Sequence, residues 1–354
     1  MTIHRNQVVA FAVRADGLPV LVALALILAS TVNATSSAAP LEYEIIWFHP
    51  SVIELGLFWL IFSLLVGVLR DLRSSDVGVF HPDTWRVAIR DQVPLSQVVR
   101  YPGIALVLPP FIAAFAGLKQ TIPYWHSFNW DPALHRVDLF LHGGTLPSEL
   151  LGELAVNQHF TVFLDQVYQL WFTVLILTVT AFAWARSSVV RNQFLLSFFL
   201  SWTVMGVLLA TVFSSAGPCF WRHVVPGPDP YAQLMAYLEG VARNYDLSAL
   251  RAQEYLWLGY STGRFPTEGI SAMPSMHVAM ATLFSIAGYR LNKVLGLAYL
   301  TFLAFILLGS FHLAWHYAID GYASVVLVAV IWKLSGIMIR RVETIEDSRA
   351  EAAG

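Results

Sequence analysis

Apolar and polar positions alternate along this chain on a long scale. Apolar runs of roughly 20 residues, enough to cross a bilayer's hydrocarbon core, are separated by polar stretches. Eight runs are read, at about 17–33, 51–69, 102–118, 160–185, 194–213, 274–289, 294–311 and 315–335. The first follows Arg5 and Arg14 and precedes Ala-Thr-Ser-Ser-Ala-Ala, a leader-like arrangement; we read it as an uncleaved span. Adjacent Pro109 and Pro110 predict a break or kink in the third run. Between runs, Tyr124-Trp-His-Ser-Phe-Asn-Trp130 mixes aromatic and polar groups. Leu134-His-Arg-Val-Asp-Leu-Phe-Leu141 reads as a short amphipathic helix, and both segments belong at the membrane interface. Residues 231–255 carry helical periodicity with mixed charge and predict a helical cap over one face.

Composition turns this pattern into a class. The chain is 57% hydrophobic and 12% charged, where a soluble domain carries about a quarter charged residues. The expectation is an all-α polytopic membrane protein with about eight transmembrane helices, a six-helix core and interfacial helices over the outer face. Residues 1–101 form a two-span extension with a cytoplasmic loop. Residues 102–336 form the core, capped by 119–158 and 214–269, and 337–354 form a tail. With a net charge of −2, nothing suggests a nucleic-acid partner. The single cysteine, Cys219, excludes an internal disulfide and reads as a small buried side chain. Aromatic residues near span ends fit an interfacial belt.

Charge also orients the spans. With both termini cytoplasmic, only Lys119, Arg136, Arg222, Arg243, Arg251 and Arg264 of the 21 Lys and Arg residues fall outside. The positive-inside bias therefore favours this orientation. It brings two polar interruptions to the same, extracytoplasmic face: Gly269-Ile-Ser-Ala-Met-Pro-Ser-Met-His277 and His312-Leu-Ala-Trp-His316-Tyr-Ala-Ile-Asp320. Pro274 suits the first turn of a helix, whose free N–H groups, beside Ser275 and His277, form a site for an anion such as phosphate. His316 and Asp320 are spaced to share one helical face. The carboxylate can then hold one imidazole nitrogen and leave the other basic, with histidine as nucleophile. Two other readings use the same residues. His312, His316 and Asp320 could be metal ligands, although no second H-x-x-x-H accompanies them. A transporter would instead place its ionisable groups near the bilayer midplane.

The motifs MPSMH and HYAID resemble the second and third signatures of the type 2 phosphatidic acid phosphatase superfamily, and within it the inositol phosphorylceramide synthase-like branch. Val137-Asp-Leu-Phe-Leu-His-Gly-Gly144 and Ser214-Ser-Ala-Gly-Pro-Cys-Phe-Trp-Arg222 resemble that branch more loosely. The resemblance spans roughly residues 130–335. It implies a lipid phosphotransferase or phosphatase that needs no metal or other cofactor. His316 would form a phosphohistidine, Asp320 would hold His316, and His277 would protonate the leaving group and then activate the acceptor. The partners implied are a lipid phosphate donor in the bilayer and an alcohol acceptor or water. Phosphatase members carry an arginine where this chain has Ser310, and their first motif is not visible, as in the transferase branch. Arg222 and Arg264 are then the candidate phosphate-binding cations, with Ser275 beside them. Asp165, Tyr168 and His312 are candidates for a headgroup pocket.

Overall fold

The computed structural model describes residues 17–36, 48–74, 95–263 and 269–352. Arg5, Arg14, Arg86, Arg90 and Arg264, and the last residues of the leader-like stretch, lie outside the described residues. Within the described residues the chain is helical and has no strand. It is an all-α polytopic membrane protein.

Helix occupies each of the eight apolar runs. α1 (Gly17–Ser36) and α2 (Phe48–Ser74) come first. The third run is split into α3 (Leu95–Ala105) and α4 (Leu108–Trp125). The break precedes Pro109 and Pro110, which sit in the first turn of α4 where a missing N–H leaves no bond unmade. α5 (Asp131–Leu141) is the short amphipathic helix. α6 (Gln158–Trp184) follows, and α7 (Val189–Leu200) continues through a π-helical stretch, Ser201–Leu209, to Val212. α8 (Ala232–Ala242) and α9 (Ser248–Ser261) occupy the stretch predicted to form the cap. α10 (Met276–Leu291), α11 (Lys293–His312) and α12 (Ala318–Ala352) complete the chain.

Among the described residues, five stretches are long and apolar enough to cross a membrane: Arg100–Trp125, Gln158–Trp184, Val189–Val212, Lys293–His312 and Ala318–Thr344. α10 has 16 residues, about 24 Å of helix at 1.5 Å per residue. It is apolar or small on every side, the pattern of a helix enclosed by others. Val278, Ala279, Met280, Ala281, Leu283 and Phe284 are all buried, and α6, α7, α11 and α12 pack around them. Rings tie these helices together. Phe182 of α6 stacks on Phe194 of α7 with centroids 3.8 Å apart, and Phe194 reaches Phe284 of α10. α1 packs on α4 and α7, and α2 packs on α6, outside this centre.

Two features differ from the pattern-based expectation. The third span does not end at 118, because α4 runs on to Trp125 and makes Lys119 a helical residue rather than part of a cap loop. Polar residues there stay helical by burying and by bonding backward, as Thr121 Oγ1 does to the Leu118 carbonyl at 2.8 Å. α5 is also more than an interfacial helix. Its Asp131 and Asp138 are buried, and both are used at the site.

Candidate active site

Three links meet against α5: residues 213–220 after α7, 269–275 before α10, and 313–317 between α11 and α12. The two aspartates of α5, seven residues apart, hold the first and the third of them. Asp131 accepts the backbone N–H groups of Ala216 and Gly217 at 3.0 and 2.8 Å, and the Tyr317 hydroxyl at 2.8 Å. Asp138 accepts the N–H groups of Ala318 and Ile319, the first two residues of α12, at 2.7 and 2.8 Å. Free N–H groups at a helix start carry partial positive charge, so a carboxylate stabilises them. Burial pushes both carboxyl groups above the usual carboxylate range, and the bonds from backbone N–H groups oppose that shift.

The links also bond one another. Ala272 N–H donates to the Ser215 carbonyl at 2.9 Å, and Met273 N–H to Ser215 Oγ at 3.1 Å. Cys219 N–H donates to the Ala314 carbonyl, and Gln253 Nε2 of α9 to the Leu313 carbonyl. Gly217 has φ +101°, a left-handed conformation that favours glycine, and a Cβ there would come within 2.6 Å of the Trp315 carbonyl oxygen. This backbone is specified at every turn.

His316 does not share a helical face with Asp320 in the way the spacing suggests. It stands in the link, before α12 begins, and its N–H donates to the Ser310 carbonyl at 2.9 Å. The pair still meets, because the chain turns into α12 there. Asp320 reaches back to accept the Tyr317 N–H at 3.1 Å, the acidic half of a capping box. That same oxygen, Oδ2, lies 3.4 Å from His316 Nδ1. This is ion-pair range, wider than the roughly 2.7–2.9 Å of a charge-assisted hydrogen bond; catalytic contacts are often long before substrate binds. Asp320 is fully buried and His316 nearly so.

His277 lies in the first turn of α10. Its ring stacks on Tyr168 with centroids 4.3 Å apart and tilts against Trp171 at 4.1 Å, while Trp171 Nε1 donates to its carbonyl. The centroids of His277 and His316 are 6.5 Å apart. Pro274 is not in the first turn of α10. It precedes the cap residue Ser275, whose hydroxyl accepts the Val278 N–H.

A cavity of about 310 Å³ opens at the two histidines. Tyr168, Trp171, His277 and His316 line its polar end together with Lys119, which interacts electrostatically with both imidazoles. Lys119 is a cavity-lining cation that the sequence did not single out. Its signal was a lone cation near the end of an apolar run, which the assumed span end at 118 placed in a loop. Asp131 and Asp138 were also missed as site-forming residues.

The other sequence candidates sort as follows. Tyr168 lines the cavity. Ser275 spends its hydroxyl on the helix cap and is fully buried. Arg222 is exposed, donates to His223, and lines a separate cleft of about 690 Å³ between α8 and α9. Asp165 accepts the N–H groups of Ser248 and Ala249, both at 2.9 Å, and so caps α9. His312 is buried at the end of α11, where its Nε2 pairs with Thr161 Oγ1 at 2.9 Å. It does not join His316 and Asp320 on one face. Among the described residues no group of three or more His, Cys, Asp or Glu side chains could hold a metal ion.

Replacing Asp138 with alanine leaves two buried N–H groups at the start of α12 without acceptors. We expect a loss of about 2–4 kcal/mol of stability and a larger proportional loss of turnover. Asp138→Asn, which keeps one acceptor oxygen, should lose less of both. Thermal denaturation in detergent alongside an activity assay checks this.

The sequence model described as the PAP2 superfamily matches residues 132–334, from the start of α5 to within α12. No curated protein and no solved structure matches the chain.

Proposed function

The chain belongs to the PAP2 superfamily, whose enzymes act on phosphate esters, and from that premise we propose a membrane lipid phosphotransferase working through a phosphohistidine. The observation that carries this reading is the cavity itself. His277, His316 and Lys119 all line it, and most of its other lining side chains are apolar. A phosphate between the two imidazoles is flanked by a nucleophile, a proton donor and a cation.

His316 Nε2 attacks phosphorus while Asp320 holds the Nδ1 side. The bond from phosphorus to the leaving oxygen breaks, and that oxygen takes a proton from His277. The resulting neutral His277 then removes a proton from the incoming hydroxyl, which attacks the phosphohistidine and frees His316. Lys119 balances charge on the phosphoryl oxygens, a role served mainly by positioning and electrostatics. It supplies the cation for which Arg222 and Arg264 are the sequence candidates, from another helix than the one bearing Ser310. The site would face the extracytoplasmic side, as the charge bias favours.

The acceptor is proposed to be an alcohol, in line with the inositol phosphorylceramide synthase-like motifs. The polar cleft between α8 and α9 supports this, because Phe220 lines both that cleft and the catalytic cavity. The test is incubation of purified protein with phosphorylated lipids of the sphingolipid, glycerolipid and polyprenyl classes, with and without inositol or another polyol. A new phosphodiester supports transfer. Release of free phosphate alone makes water the acceptor and the protein a lipid phosphatase. No turnover of any donor rejects the reading. In the same assay Lys119→Met is expected to lower kcat/KM by about 10²-fold, with no change in thermal stability.

A further inference from the structure

Below its polar end the cavity continues between helices. Ile112, Phe115 and Ala116 of α4 form one wall, and Leu175 and Ile176 of α6 another. Trp202 and Gly206, from the π-helical stretch of α7, line it as well. From Lys119 to Ile112 is seven helical residues, about 10 Å along the axis at 1.5 Å each. The apolar part is thus a slot, continuous with the catalytic histidines and about two turns deep.

The π-helical stretch is where this slot is shaped. Wider i to i+5 turns inside α-helices are rare and frequently mark functional sites. Gly206 sits in the middle of it, and a Cβ at that position would come within 2.5 Å of Phe115 Cε2. Phe115 packs edge-on against Trp202 at 4.6 Å and lines the cavity, so a ring pushed away from α7 would swing into the slot. The side chain missing at Gly206 is what lets the Phe115 ring lie against α7 and leave the slot open.

Resting on the proposed lipid-phosphate reaction, we infer that this slot holds the hydrocarbon chain of the donor, and that Gly206 and Phe115 set the length of chain it accepts. The occupant follows from continuity with the catalytic end. A phosphate held at His316 and Lys119 directs the rest of its ester into a space lined mainly by apolar side chains, with Gln169 and Ser271 as the polar exceptions.

The test compares butyl, octyl, dodecyl and hexadecyl phosphate as donors for the wild-type protein, Gly206→Ala and Ala116→Phe. The second variant fills the slot from α4 without touching α7, so a folding defect in one leaves the other informative. For wild type kcat/KM is expected to rise with chain length and then level off. Both variants should lose about ten-fold or more on the longer donors and keep butyl phosphate turnover within about two-fold. Equal losses on every donor, or no loss on any, would overturn the assignment of the slot while leaving the reaction standing.

A second measurement does not depend on turnover. A hexadecyl phosphate bearing a diazirine at the chain terminus is photolysed with the His316→Ala protein. Labelling should fall on the slot-lining segments of α4, α6 and the π-helical stretch, and should drop in Gly206→Ala. Labelling confined to outward-facing residues of α2 or α11 would show that the chain stays in the bilayer.

Discussion

Replacing His316 with alanine is expected to lower lipid-phosphate turnover by about 10⁴-fold or more, with the fold intact. Removing a nucleophile that forms the covalent intermediate removes the pathway itself, and single deletions within such a group cost nearly as much as deleting all of it. The fold has little reason to change. The backbone around His316 is held by its own N–H bond to Ser310, by Asp138 at the start of α12, and by the Tyr317 hydroxyl on Asp131. The imidazole contributes to none of these. Initial rates together with a melting curve in detergent check the prediction. A variant that melts like wild type but retains more than about a tenth of the activity would exclude His316 as nucleophile.

Asp320→Asn is expected to have the second-largest effect, a fall in kcat of about 10²–10⁴-fold. The amide oxygen can still accept the Tyr317 N–H that Asp320 Oδ2 accepts at 3.1 Å, so the entry into α12 survives. What disappears is the negative charge 3.4 Å from His316 Nδ1. That charge fixes the tautomer with Nε2 free, and it stabilises the positive charge that develops on the ring as the phosphorus bond forms. KM for the donor should change far less than kcat, because the carboxylate does not line the cavity. An equal rise in KM would mean that Asp320 acts in binding instead.

Much of this architecture was legible in the sequence for simple reasons. The apolar runs read as helices, because a continuous run of roughly 20 apolar residues fits a helix that bonds all its own backbone groups without water, and the double proline fell where the third run breaks. The two histidine motifs could be paired because charge counting brought them to one face. The pairing of His316 with Asp320 was legible for a partly wrong reason. The i, i+4 spacing predicts a shared helical face, whereas the contact arises because the chain turns just before α12, and a carboxylate three residues into a helix reaches back over its start. Other features were not legible because they depend on tertiary contacts. Nothing local says that Asp131 and Asp138 point inward to hold two distant links, since an acid on an amphipathic helix ordinarily faces water. Lys119 was hidden by a span end placed seven residues early. Asp165 and His312 looked like headgroup contacts because they are polar near span ends, yet each is consumed by a structural hydrogen bond.

A covalent phosphohistidine at His316 is tested by trapping it. Purified protein is mixed with a donor labelled at its phosphate and quenched in base within one turnover, then digested and mapped by mass spectrometry. Label is expected on the peptide carrying His316, stable to base, labile to acid and lost in His316→Ala. Absence of label from a protein that turns over the same donor, or label that persists in His316→Ala, would contradict it.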